Sequence, residues 1–224
     1  MTARYQAAST AGKPGAPERR GTSRSLPRAR GRGRRLPRGK LAFVRFIEQR
    51  LPGVFLIELE RRSDERGSFA RSFCVDELAR AGLHTEYPQG NVSFNTRRHT
   101  LRGMHYQAAP HGEVKIVGCT AGAILDVVVD LRAGSPTRFA WCAVELTPAS
   151  GAQLYIPAGF GHGFLTLADH TEVTYRMGTR YVPEAARGLR WDDPRLAIAW
   201  PARPEVISAR DASYPDLDPE LADA

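Results

Sequence analysis

Titratable side chains lie close to glycine and aromatic residues in four segments of the sequence. His105 is in the second segment, and its imidazole is a candidate general acid or base because imidazole titrates near neutral pH. A lone histidine in a strand is more often structural, so the residue type alone assigns no role. The four segments are SDERGSF (63–69), TLRGMHYQ (100–107), IPAGFGHGFL (156–165) and VTYRMGTRY (173–181).

The third segment opens a metal-binding interpretation. His162 follows IPAGFG at an expected turn and ends a PxGxxH spacing, which is typical of the second motif of metal-binding cupins. Such cupins hold their ion with three histidines and a glutamate, and two of the histidines form an HxH pair. Here Gln107 stands two residues after His105. The sequence therefore predicts no metal site, and a metal-dependent cupin that uses His105, His111 and His162 is an alternative.

The elements that must position these groups are predicted to be strands. From Val44 onward, short β-branched runs are separated by Gly, Pro, Asn or Asp, a pattern typical of an antiparallel sandwich or barrel. The sequence predicts an all-β body with a short helix at VDELARAG (75–82) and C-terminal helical turns near PDLDPELADA (215–224). The predicted strands lie in GVFLIEL, KIVGCTAG, AILDVVVDLR, AWCAVELT, QLYIPAG, HGFLTLA and EVTYRM.

The basic charge of the chain is concentrated in its first 43 residues. They hold 12 of the 32 Lys and Arg residues and one of the 24 acidic residues, while the remainder, with 20 basic and 23 acidic residues, is slightly acidic. The Arg-, Pro-, Gly- and Ser-rich composition of residues 1–43 predicts disorder. A basic arm and a transit-like leader are alternatives. We favour a start-site artefact, with the true start near Val44 and one domain over residues 44–224.

Composition also limits the class of protein. The sequence has no apolar run of about 18 residues that could span a bilayer and no secretory apolar region, so we expect a cytoplasmic protein. Its three cysteines are far apart without metal-site spacing, and we expect them to be reduced. The acidic body, and a basic tail without an aromatic platform for bases, disfavour a nucleic-acid partner.

The four segments resemble, in order, those of the dTDP-4-dehydrorhamnose 3,5-epimerase family. The resemblance covers about residues 44–215 and includes DERG, LRGMHYQ, QLYIPAGFGHGF, RGLRWDDP and ISARD. It implies a cupin-type jelly-roll barrel, a homodimer, and catalysis without a metal or a nicotinamide cofactor.

The resemblance also implies a proton-transfer set. A 4-keto group acidifies the hydrogens at C3 and C5 of a sugar, so epimerisation requires a base, a donor to the enolate oxygen, and an acid on the opposite face. By motif position, His105 is the base and Asp211 is the carboxylate that fixes its tautomer. Tyr175 matches the phenol that returns a proton, and Lys115 matches the cation near the enolate. A barrel-lining Tyr175 and a solvated Lys115 are the structural alternatives.

A substrate-binding set is implied in the same way. A sugar nucleotide carries a pyrophosphate, and guanidinium groups suit it because they stay charged and donate paired hydrogen bonds. The implied binding residues are Arg66, Arg71, Gln89, Asn91, Arg102, His162, Tyr181 and Arg210.

Two positions depart from the family pattern. Arg71 stands where the family usually has Glu, and Ala186 stands where Glu is common in the rhamnose-pathway enzymes. We expect an isomerase that converts dTDP-4-dehydro-6-deoxy-D-glucose to dTDP-4-dehydro-L-rhamnose, a precursor for cell-surface polysaccharide. Because of the two departures, a mono-epimerase of C3 or C5 that acts on another 4-keto nucleotide sugar is an alternative. A non-catalytic sugar-binding cupin is another.

Overall fold

Strands dominate the structure. A computed structural model describes residues 44–218, and the expectations for residues 1–43 and 219–224 lie outside the described residues. A single domain over residues 44–224 therefore stays a prediction. The described strands are, in chain order, β1 (Val44–Glu48), β2 (Phe55–Leu59), β3 (Arg62–Asp64), β4 (Gly67–Phe69), β5 (Gln89–Asn95), β6 (Thr100–Gln107), β7 (Lys115–Ala121), β8 (Ile124–Asp130), β9 (Trp141–Leu146), β10 (Gln153–Ile156), β11 (Phe160–Thr166), β12 (Thr171–Met177), β13 (Ala186–Gly188) and β14 (Val206–Ile207).

Two six-stranded sheets contain twelve of these strands. The first has the order β1-β2-β10-β7-β12-β5, and the second has the order β13-β6-β11-β8-β9, with β14 added to β6. The pairs within both sheets are antiparallel except for the parallel pair of β14 and β6. β3 and β4 form a separate hairpin. The two sheets face each other as a jelly-roll barrel, which confirms the predicted all-β class.

The helices are short. α1 (Val75–Arg80) lies in VDELARAG as predicted. The C-terminal prediction is wrong for residues 215–218, which are not helical. The last described helix, α2 (Ala209–Ala212), starts earlier because the Ser208 hydroxyl accepts a hydrogen bond from the backbone N–H of Asp211 and caps it. Among residues 44–218, no helix is long and apolar enough to cross a membrane.

One apolar core fills the space between the sheets, and two more cover their outer faces. Val117 of the first sheet and Phe164 of the second are both buried in the central core. α1 covers the outer face of the first sheet through Leu78. The segment after β13 covers the outer face of the second sheet through Leu196 and Leu217. Each fully buried side chain of this kind contributes about 2 kcal/mol.

The cysteines belong to this packing. Cys119 and Cys142 are buried and Cys74 is half-buried, and all three are free thiols. Burial raises the pKa of Cys119 to about 11 and that of Cys142 to about 12. These two side chains are therefore neutral apolar groups at physiological pH.

A β-bulge in β6 sets the direction of the side chains near the site. β6 has one extra residue between the cross-strand pairs Arg102–Phe164 and His105–His162. Because of the extra residue, Arg102 and His105 lie on the same face of the sheet although they are three positions apart. Gly103 in the bulge has φ +136°, and a Cβ there would lie 2.5 Å from the backbone of β11. Only glycine fits this position.

Asp130 fixes the loop that follows β8. Its buried carboxylate accepts hydrogen bonds from the side chains of Arg132, Ser135 and Thr137. Burial acts to raise the pKa of Asp130, but these hydrogen bonds outweigh it and lower the pKa to about 2.

Candidate active site

His105 and Asp211 form a hydrogen-bonded pair between β6 and α2. The distance from His105 Nε2 to Asp211 Oδ1 is 2.8 Å, and the carboxylate is buried while the imidazole is partly exposed. The bulge presents His105 on the same face as His162, its cross-strand partner. The structure thus brings together the two residues that motif position paired.

Three groups hold the Asp211 carboxylate in its ionised form. The backbone N–H of Gly103, in the bulge, donates to Asp211 Oδ2 at 3.2 Å. Burial acts to raise the pKa of Asp211, but the hydrogen bonds with His105, Gly103 and Ser208 together lower it below its ordinary value. The ionised Asp211 accepts a hydrogen bond from the N–H at His105 Nε2, so Nδ1 of a neutral His105 is the nitrogen that can accept a proton.

A second histidine–carboxylate pair lies beside the first. His162 Nε2 is 2.7 Å from Asp126 Oδ1, and both side chains are buried. The prediction that His162 lies at a turn is wrong. The turn ends at Gly159, and His162 lies within β11, which pairs with β8 along its whole length. Pairing with a distant strand, which the local sequence does not reveal, decides this position.

Tyr175 approaches the same group from the first sheet. Its ring lies 6.2 Å from the His162 ring, at an interplanar angle of 78°. Its hydroxyl forms a hydrogen bond with Ser93 of the neighbouring β5. Burial, and after it the negative charge of Asp126, raises the pKa of Tyr175. The phenol therefore keeps its proton at neutral pH and can donate it.

Lys115 links the two sheets through the barrel interior. Its Nζ donates to the backbone carbonyl oxygen of His105 at 3.2 Å and lies 2.7 Å from Glu113 Oε1. The Lys115 residue is only 5% exposed, so the alternative of a solvated strand lysine is wrong.

Four of the residues predicted to bind substrate form a connected series. Gln89 donates to Asn91 and accepts from the backbone N–H of Tyr181. A hydrogen bond from Arg210 to Tyr181 helps to raise the pKa of Arg210. Arg210 also lies over the ring of Tyr214, 5.9 Å from its centroid. The Tyr214 ring packs edge-on against the imidazole of His105. The series therefore leads from β5 to the candidate base.

The other three predicted arginines lie in different places. Arg102 is exposed on β6, and its Nε donates to Asn95 of β5 at 2.8 Å. Arg66 is in the turn of the β3–β4 hairpin, where it pairs with Asp64. Arg71 follows that hairpin and contacts the Cys74 sulfur at 3.9 Å. These contacts of Arg66 and Arg71 lie within residues 64–74 and do not include His105 or Asp211.

The metal-cupin interpretation finds no matching geometry in the described part of the chain. Among residues 44–218, no group of three or more His, Cys, Asp or Glu side chains is placed to hold a metal ion. Gln107 donates to the carbonyl oxygens of His111 and Arg180 and accepts from the backbone N–H of Val182. Gln107 thus joins two loops.

Three polar residues of this region were not predicted from the sequence. Asp126 is a carboxylate within the apolar run AILDVVVDLR, an interruption that could have marked it as a site residue. Glu113 stands two residues before Lys115, and Tyr214 stands three residues after Asp211. Asp126 and Tyr214 contact His162 and His105, which are distant in sequence. Glu113 is close in sequence to its partner Lys115, but none of the quoted family motifs contains it.

The fold and this group of side chains define a class of protein. One jelly-roll barrel of the cupin type contains four such groups: a partly exposed imidazole, the buried carboxylate beside it, a protonated phenol and a buried ammonium. Such a set can remove a proton, stabilise the resulting anion, and return a proton. The class is that of acid–base enzymes.

Comparison with known proteins narrows this class. The sequence model of the family described as dTDP-4-dehydrorhamnose 3,5-epimerase matches residues 48–219. A dTDP-4-dehydrorhamnose 3,5-epimerase of Sinorhizobium fredii is 41% identical over 165 residues, which are 73% of this chain and 85% of that protein. A dTDP-4-dehydrorhamnose 3-epimerase of Streptomyces niveus is 39% identical over 162 residues, 72% of this chain and 78% of that protein.

A solved structure agrees with the sequence matches. The crystal structure of dTDP-4-dehydrorhamnose 3,5-epimerase from Bacillus anthracis, with TDP and PPi bound, has a TM-score of 0.75 and 36% identity. The match covers 78% of this chain and 99% of that chain. The chain belongs to the dTDP-4-dehydrorhamnose 3,5-epimerase family, which confirms the resemblance of its motifs.

Proposed function

We propose that this protein is an isomerase that epimerises a dTDP-4-keto-6-deoxy sugar at C5 and C3. The proposed conversion is dTDP-4-dehydro-6-deoxy-D-glucose to dTDP-4-dehydro-L-rhamnose. The observation that carries the proposal is the His105–Asp211 pair, whose 2.8 Å hydrogen bond leaves the second imidazole nitrogen as a proton acceptor. Family membership supports the reaction class, since the relatives carry this activity in their names.

The proposed chemistry is a proton transfer repeated at two carbons. His105 Nδ1 removes the proton from C5, and the electron pair of the C–H bond moves to form an enolate whose oxygen is the former 4-keto oxygen. The Lys115 ammonium stabilises that oxygen. Tyr175 then donates its proton to the opposite face of C5, and the electron pair of the enolate returns to carbon. After His105 exchanges its proton with water, it removes the proton from C3, and water donates a proton to the opposite face of C3 as the electron pair of the second enolate returns to carbon.

The proposed substrate is anionic, and the proposed binding residues complement its charge. Arg102 and Arg210 are exposed cations next to the catalytic group, and a guanidinium suits the pyrophosphate. Gln89, Asn91 and Tyr181 complete the series, and we propose that they contact the nucleotide. Inside the barrel, His162 is proposed to accept a hydrogen bond from a sugar hydroxyl through Nδ1.

A homodimer is part of the proposal. β5 is an edge strand of the first sheet. Its residues Val92 and Phe94 are 65% and 55% exposed. Phe69 on the β3–β4 hairpin is 72% exposed. A second copy would cover these apolar side chains and could receive Arg66 and Arg71 at its own site. Analytical ultracentrifugation tests this: a monomer at micromolar concentration would contradict the homodimer, and Phe94→Asp should weaken it.

A second candidate function is inversion at one carbon only. Its support is the identity of 39% to the Streptomyces niveus 3-epimerase, together with the departures at Arg71 and Ala186. Tyr175 favours the double reaction, because without a proton donor on the opposite face inversion should stop at one centre.

Deuterium incorporation separates these functions. The full chain is incubated with dTDP-4-dehydro-6-deoxy-D-glucose in D2O, and deuterium at C3 and C5 is measured by NMR. The proposed function predicts deuterium at both carbons and the L-rhamno product. Deuterium at one carbon supports the mono-epimerase, and the absence of deuterium at both carbons contradicts the proposed function. Full activity in the presence of a chelator would exclude a metal-dependent reaction.

A further inference from the structure

Glu113 and Lys115 form a buried ion pair next to the candidate base. The distance from Lys115 Nζ to Glu113 Oε1 is 2.7 Å, and the side chains are only 6% and 9% exposed. Lys115 is the first residue of β7, in the middle of the first sheet. Its ammonium reaches the His105 carbonyl oxygen of the second sheet. Glu113 is therefore in contact with the ammonium that is proposed to stabilise the enolate.

The donors of the ammonium can be counted. A protonated lysine has three N–H bonds and no acceptor. One is directed to Glu113 and one to the His105 carbonyl oxygen, which leaves one for a ligand. With two donors held by groups on different elements, the direction of the third is fixed before substrate binds. Preorganised donors of this kind cost little reorganisation during the reaction.

Glu113 also compensates the buried charge of the ammonium. A buried charge is tolerated when an opposite charge lies beside it, and the Glu113 carboxylate is 2.7 Å from Lys115 Nζ. Breaking a buried pair leaves an uncompensated charge. Without the carboxylate, the Lys115 ammonium would lose one of the two partners that hold its position, and it would stabilise an enolate less well.

We propose that Glu113 is a positioning residue for the reaction: together with the His105 carbonyl oxygen it holds the Lys115 ammonium in place and directs its remaining N–H to the 4-keto oxygen of the substrate. This inference rests on the proposed function. Glu113 itself touches neither the substrate nor the reacting atoms. Its effect should therefore appear in kcat, because the oxygen gains its full negative charge only in the enolate, and KM should change little.

A double-mutant cycle tests the inference, with deuterium incorporation at C5 as the rate measurement. Glu113→Gln keeps the size and a hydrogen-bond acceptor but removes the charge, and it should lower kcat about tenfold or more with KM within about twofold. In a Lys115→Met background, Glu113→Gln should have no further effect on kcat, because Glu113 acts through Lys115. The matched control is Glu145→Gln, an exposed glutamate on β9, which should leave kcat and KM unchanged.

The outcomes separate this inference from the proposed function. A wild-type chain that incorporates no deuterium contradicts the proposed function. If the wild-type chain is active, an unchanged kcat in Glu113→Gln overturns the inference. An equal loss of kcat in the wild-type and Lys115→Met backgrounds also overturns it, since that is the behaviour of a purely structural residue. If Glu113→Gln does not fold, Glu113→Asp replaces it, with a smaller expected loss of kcat that must also vanish in the Lys115→Met background.

Discussion

His105 and His162 lie directly opposite each other on β6 and β11, and each donates through Nε2 to a different carboxylate. Their exposures differ, because the side chain of His105 is 42% exposed while that of His162 is 5% exposed. A catalytic base must exchange its proton with water between turnovers. The pair of His105 with Asp211 meets this requirement, and the buried pair of His162 with Asp126 is suited to holding a fixed hydrogen bond.

Asp211→Asn should lower kcat about a hundredfold or more, because an amide no longer fixes the tautomer of the base or stabilises its charged form. Substrate binding should change little, so KM should stay within about threefold. Steady-state kinetics of the purified variant measure both constants. A variant with the wild-type kcat would show that the carboxylate serves only to fasten α2 to β6.

Tyr175→Phe should separate the two halves of the reaction. The base can still remove a proton, so deuterium should still enter at one carbon, while formation of the doubly inverted product should fall by about a hundredfold. NMR of the sugar after incubation in D2O distinguishes the two carbons. Inversion of both centres at the wild-type rate would assign the proton return to another group.

Gly103→Ala should destabilise the fold and reduce activity together. The position combines φ +136° with a Cβ contact at 2.5 Å, and the expected loss is about 3 kcal/mol or more. Gly134→Ala is the matched control, because Gly134 has φ +70° and a Cβ added there would meet no atom within 4 Å. Only about 1 kcal/mol of backbone strain is therefore expected in the control. Urea unfolding measures the free energy of unfolding of both variants. Equal decreases in the two variants would contradict the claim that the close contact of Gly103 with β11 excludes a side chain.

Asp130→Asn should make the free energy of unfolding less dependent on pH in the acidic range. The pKa of Asp130 is lowered to about 2. Its ionised form therefore stabilises the fold at pH values above the ordinary pKa of an aspartate. This stabilisation is lost as the pH falls toward 2. The shift corresponds to about 2 kcal/mol at neutral pH. Urea unfolding of wild type and variant should therefore differ by about this amount at pH 7 and by less near pH 2.5. The same difference at both pH values would contradict the contribution of the charge.

Local sequence was sufficient to predict most of the strands, and the resemblance to the family predicted that His105 and Asp211 lie together. Runs such as KIVGCTAG and EVTYRM have β-branched residues and clear boundaries, and both contain strands. The pair of His105 and Asp211 was expected from motif position and is found at hydrogen-bond distance. The strands were predicted because the residue types of these short segments favour an extended conformation, whereas the catalytic roles stay a prediction.

The remaining features depend on contacts between distant segments. Arg102 and His105 share a face because of a bulge, and a strict alternation along β6 would have placed them on opposite faces. His162 was expected at a turn but pairs with β8, and Asp126 became visible as its partner only through that pairing. Register between strands is set by the whole sheet, so local patterns do not determine it.

The central claim, that His105 is the base, is tested most directly by His105→Asn in D2O with dTDP-4-dehydro-6-deoxy-D-glucose. Asparagine keeps a polar side chain at the bulge but cannot accept a proton at neutral pH. We expect folded protein, retained binding of dTDP by calorimetry, and no deuterium at C3 or C5 above the uncatalysed background. Incorporation at either carbon at the wild-type rate would contradict the claim.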